Sequence, residues 1–129
     1  MVAAVLLTAL LAVLAVFQVA LALGAPLGHF AWGGQHRVLP LRFRIGSAVA
    51  LPIYAFIALV ALDRVGAIDV FTGFFAEVGA WVVFGYFVLG IAQNAASRSR
   101  PERVTMVLVT LVAAVLSLLV AVGPATSPG

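Results

Sequence analysis

Ser97-Arg98-Ser99-Arg100-Pro101-Glu102-Arg103 decides how this chain folds. This polar stretch divides a long apolar run into two segments, 74–96 and 104–122. Each is close to the roughly 20 residues that cross a hydrocarbon layer about 30 Å thick. Moving outward, two more apolar segments, 2–23 and 45–62, are set apart by the remaining charged stretches. The expected fold is all-α: one integral membrane domain over 1–129, built as an antiparallel up-down bundle of four transmembrane helices at about 2–23, 45–62, 74–97 and 100–122.

Arginine placement predicts the orientation. Arg37, Arg42 and Arg44 follow the first segment, Arg98, Arg100 and Arg103 follow the third, and only Arg64 lies between the second and third. Loops that carry the cations stay cytoplasmic. Loops 24–44 and 97–103 are therefore expected inside, loop 63–73 and the tail 123–129 outside, which makes the chain N-out/C-out. Ala20-Leu21-Ala22 matches a signal-peptidase pattern, but no cation precedes the first apolar segment. That segment, at about 22 residues, also exceeds the roughly 7–15 of a signal core, so it reads as a retained helix.

With 65% hydrophobic and 9% charged residues and a mean hydropathy of +1.26, the 129-residue chain leaves no room for a soluble catalytic domain. The net charge of +3 falls beside apolar segments and not along a solvated face, which points to anionic lipid headgroups and the bilayer and away from nucleic acid. Zero cysteines exclude disulfides, thiolate nucleophiles and Cys-ligated metals. Arginine without lysine, among much Ala, Val, Leu and Gly, suggests a GC-rich bacterial genome, hence a multi-pass protein of the bacterial inner (cytoplasmic) membrane.

Helices in lipid associate through close packing, so stripes of small and polar residues are expected to face inward. These are Ala4, Thr8, Leu11, Ala15, Gln18 and Ala22; Ser47, Ala50, Tyr54, Ala58 and Ala61; Gly79, Tyr86, Gly90, Gln93 and Ser97; and Thr110, Ala114, Ser117 and Ala121. Ser99 and Glu102 have capping-box spacing around Pro101, Gly123-Pro124 ends the last helix, and Pro52 is expected to kink the second.

Depth ranks the candidate contacts. Tyr54 and Tyr86 fall near the midplane, where their hydroxyls need partners, either each other or Thr110. Gln18, Ser47, Gln93, Asn94, Ser97 and Thr105 gather at the cytoplasmic helix ends beside Arg98 and Arg100. They either line an inward-facing pocket for a headgroup or small molecule, or simply mark where helices meet water. The first loop, with His29, Trp32, His36 and Arg37 around Gly33-Gly34, is long and still apolar, so it is expected at or in the interface. Trp32 reads as an inner-interface anchor and Trp81 as its outer counterpart. The two histidines lack a nearby carboxylate, so no metal or other cofactor is expected. No phosphate-loop, dinucleotide or nucleophile-elbow motif occurs, and no enzyme activity is expected.

The stretches Leu23-Gly24-Ala25-Pro26-Leu27-Gly28, Trp32-Gly33-Gly34, Leu39-Pro40, Arg44-Ile45-Gly46-Ser47 and 94–103 resemble a group of small uncharacterised bacterial four-helix integral membrane proteins. That resemblance implies the four-helix fold and no activity. The expected role is binding of lipid headgroups or a membrane protein partner through the cytoplasmic face; the alternative is a small transporter or channel, which would need a homodimer to enclose a path.

Overall fold

Each of the four apolar segments forms one helix in the computed structural model, which describes residues 1–123. They are α1 (Val2–Ala22), α2 (Leu41–Arg64), α3 (Gly73–Ala95) and α4 (Arg100–Val122), with two short 3-10 turns, Gly28–Phe30 and Trp32–Gly34, in the first loop. No strand occurs among the described residues. Apart from Gly123, the tail expected over 123–129 lies outside them.

Helix ends show where the few polar groups are used. α2 begins at Leu41, a turn earlier than expected, because Pro40 adopts extended backbone and its carbonyl accepts from Phe43 and Arg44 N–H, both at 3.0 Å. Arg42 and Arg44 thus stand in the first turn of a helix, where the macrodipole disfavours cations. Arg44 compensates by donating from Nε to the Ala22 carbonyl at 2.9 Å, the carboxyl end of α1. Arg42 lies over the Phe43 ring, 4.7 Å from its centroid. Similarly, Arg103 donates to Ser97 O at 3.1 Å just past α3, and Arg64 donates to Ala121 O and Gly123 O at 3.1 and 3.0 Å, closing α4. Unpaired carbonyls and a negative dipole end attract guanidinium groups. α2 continues to Arg64, past the expected end at 62, and α3 stops at Ala95 instead of 97.

The connection after α2 folds on Asp63, whose Oδ2 accepts from Val70 and Phe71 N–H at 2.6 and 2.7 Å. Thr72 caps α3 by accepting from Phe75 N–H at 3.2 Å.

α1 packs chiefly on α2 and α3 on α4; contacts between α1 and α4 and between α2 and α3 complete a ring, while α2 and α4 barely meet. The dense core occupies only one half of the bundle, the half away from the first loop. There Leu7, Leu11, Ile57, Val60, Val83, Ala113, Ala114 and Val120 are buried together. The space among Leu7, Val60, Val83 and Val120 does not admit a water molecule. The outer faces stay apolar: Val16 is 71% exposed, Val82 65% and Phe74 78%. Such surfaces suit lipid, and all four helices are long and apolar enough to cross a membrane.

Ser47 and Ala61 of α2 and Ala114, Ser117 and Ala121 of α4 face inward as expected. On α3 the inward face is turned by about one residue, or 100°. Ala76, Ala80, Val83 and Phe87 are buried, whereas Gln93 is exposed and Tyr86 is 47% exposed. Gly79 and Gly90 remain at the edge of the contact, beside Val60 and Thr110. The larger Val83 and Phe87 side chains fill the volume between helices, which small residues would leave empty. α2 runs through Pro52 as a single helix.

Leu7→Ala should lower stability by about 2 kcal/mol, since lost packing and not lost transfer energy carries the cost in lipid. A fall in detergent melting temperature would register it. Val13→Ala, on a face 67% exposed, should leave that temperature nearly unchanged.

Candidate functional site

Away from the dense core the bundle opens into a cavity of about 720 Å³. Its walls come from α1, α3 and α4 with Tyr54 of α2, and residues 30–33 and 35 of the first loop line it. Gln18, Tyr54, Tyr86, Gln93, Asn94 and Arg98 all line it, together with Trp32. These sequence candidates converge on one space. His29, His36, Arg37 and Arg100 do not line it.

The polar contacts within the walls differ from those expected. Tyr54 does not pair with Tyr86 or Thr110; its hydroxyl accepts from Gln18 Nε2 at 3.1 Å. The other end of that amide, Oε1, is buried without a partner. Thr110 donates to the Met106 carbonyl at 2.6 Å, as helical hydroxyls do when no better acceptor is near, and Asn94 Nδ2 lies 3.5 Å from both Met106 O and Thr110 Oγ1. Tyr86 packs its ring edge-on to Phe87 at 5.4 Å.

The first loop is a folded strap across the gap between α2 and α4. At the α2 end, Trp32 Nε1 donates to the buried Ser47 hydroxyl at 3.2 Å, and its ring stacks on Phe43 at 5.0 Å. Gly46 makes room, since a Cβ there would lie 2.7 Å from the indole. Trp32 adopts a positive φ of 53°, a conformation costing about 1 kcal/mol outside glycine, which these contacts offset. Trp32 is therefore a docking residue, not merely an interfacial anchor.

At the α4 end, Ser99 donates to the His29 carbonyl at 2.5 Å, and Glu102 Oε2 accepts from Gly33 N–H at 3.2 Å. The expected capping box is not formed: Ser99 holds the N-cap position without a side-chain cap bond. Both side chains are turned to the loop instead. Gly34, at φ +71°, passes so close to α4 that an added Cβ would collide with the Ser99 side chain. Gly28 donates to the Arg37 carbonyl at 2.8 Å, and it too lies against backbone that a Cβ would strike. His36 meets the Phe43 ring at 5.9 Å.

Two residues of this site were not among the sequence candidates, Glu102 and Ser99. Glu102 is only 5% exposed, although it also lines the cavity. The pairing of S-x-x-E with a distant Gly-Gly was the available signal, but a cap explained it equally well. No group of three metal-ligating side chains occurs among the described residues. Compared with protein-family models, curated proteins and solved structures, the chain matches none of them.

Gly34→Ala should release the strap, because it adds both backbone strain and a collision with Ser99. Gly33→Ala, where nothing lies within 4 Å, should incur only the strain of φ +80°. Trypsin cleavage after exposed Arg37 should accelerate several-fold more in the first variant than in the second. Equal rates would mean that the loop is not docked as described.

Proposed function

We propose that this chain is a multi-pass protein of the bacterial inner membrane, an antiparallel up-down bundle with both termini outside, whose cytoplasmic end binds a phospholipid. The carrying observation is the cavity beneath the first loop: it is polar where Arg98, Gln93 and Asn94 line it and apolar where Leu14, Phe17, Leu89 and Met106 do. An amphipathic ligand needs that combination, with a headgroup at a guanidinium and a chain along aliphatic walls. A volume near 720 Å³ falls within the range of small-molecule sites, about 300–1,000 Å³.

The closed half of the bundle argues against a path through a single chain. The space among Leu7, Val60, Val83 and Val120 does not admit a water molecule, so the dense half offers no continuation of the cavity there.

Short-chain phospholipid added to the purified protein should bind saturably, and Arg98→Ala should weaken binding several-fold, in line with loss of one charge-assisted contact. Raising salt from about 0.1 to about 0.5 M should weaken it further. Binding that ignores both changes would refute a headgroup site at Arg98. The orientation has its own test: single cysteines replacing His36 and Arg100 should react with impermeant thiol reagent only from the cytoplasmic side. Reaction of either from the other side would overturn the topology.

A further inference from the structure

Two opposite charges line one cavity. Arg98 contributes a guanidinium and Glu102 a carboxylate. The hydrogen bond to Glu102 comes from the Gly33 amide and uses only Oε2; no guanidinium donates to the carboxylate among the described residues. A carboxylate offers about four acceptor positions; Glu102 fills one with the Gly33 amide and borders the cavity, so the others are open to a donor there. Phe30 and Trp32 also line the cavity, and aromatic rings add attraction for positive charge.

A headgroup with net negative charge would gain from Arg98 and be repelled by Glu102. A headgroup holding phosphate and ammonium a few atoms apart would satisfy both. We infer that the cavity prefers zwitterionic phospholipids bearing a primary ammonium, with the phosphate at Arg98 and the ammonium at Glu102. This rests on the phospholipid reading above and adds the headgroup class. A primary ammonium carries three N–H donors for the free carboxylate positions, whereas a quaternary ammonium carries none. The same carboxylate holds the loop through Gly33, so the ligand's cation and the strap share one anion.

The test uses the full chain carrying Trp81→Phe, which leaves Trp32 as the only indole and places the fluorescence signal in the cavity lining. Dihexanoyl phosphatidylethanolamine, phosphatidylglycerol and phosphatidylcholine are titrated separately, with glycerophosphoethanolamine as the chain-free control. The ethanolamine lipid should bind about tenfold more tightly than the glycerol lipid, the worth of one charge-assisted hydrogen bond, with the choline lipid between them. Glu102→Gln keeps an oxygen for Gly33 N–H, so trypsin cleavage at Arg37 should stay unchanged while the ethanolamine preference disappears. Glu102→Asp should retain part of it, and Arg98→Gln should weaken all three lipids.

Equal or tighter binding of the glycerol lipid, or an ethanolamine preference that survives Glu102→Gln, would overturn the inference and leave the phospholipid site standing. Equal affinity for glycerophosphoethanolamine would overturn the lipid as the ligand's source. If no phospholipid changes the Trp32 signal or binds, the headgroup reading itself fails.

Discussion

The hydrogen bond from the Gly33 amide to the Glu102 carboxylate joins the first loop to α4, and the open half of the bundle depends on that junction. α2 and α4 make little direct contact, so the strap from Trp32 on α2 to Gly33 and Gly34 on α4 is what connects them at that end. Without the Gly33–Glu102 bond the loop over the cavity would be held to α4 by the Ser99–His29 hydrogen bond alone. A buried carboxylate is a costly tether unless its charge is compensated. Here the positive end of the α4 dipole meets Glu102 in the first turn, and that supplies part of the compensation.

Scarcity of charge shapes the remainder. With seven cations and four acids in 129 residues, five of these eleven charged groups complete a helix end or hold a loop. Arg44, Arg64 and Arg103 serve the carboxyl ends of α1, α4 and α3, and Asp63 folds the connection before α3. Arg98 stands apart because it lines the cavity. That difference in use, more than its position in an arginine-rich stretch, makes it the cation suited to a ligand.

The four helices were legible because apolar length is a coarse signal that packing cannot disguise, and α4 begins at Arg100 as its Ser-Arg-Pro start suggests. The convergence of Gln18, Gln93, Asn94 and Arg98 also followed from depth alone, since residues at the same end of neighbouring helices must meet. Three features were not legible. The face of α3 is hidden in the sequence because small residues recur on several sides of this helix, and the volume of Val83 and Phe87 settles which side turns in. Tyr54 pairs with Gln18, a partner on another helix that spacing along one segment does not single out. Ser99 and Glu102 fit a local cap in sequence, whereas their true partners, at His29 and Gly33, lie about 70 residues away in the chain and depend on how the loop folds.

The physical picture is a bundle in two tiers, a dry core at one end and a loop-covered polar cavity at the other. In a chain with no native cysteine, single cysteines placed along α3 report the boundary directly through reaction with a small, impermeant, cationic thiol reagent in membrane vesicles. The two-tier account predicts rapid reaction at positions 93 and 90, slower reaction at 86, and none at 83 or 80, all from the first-loop side. Reaction at 83 or 80, or protection at 93 and 90, would contradict it.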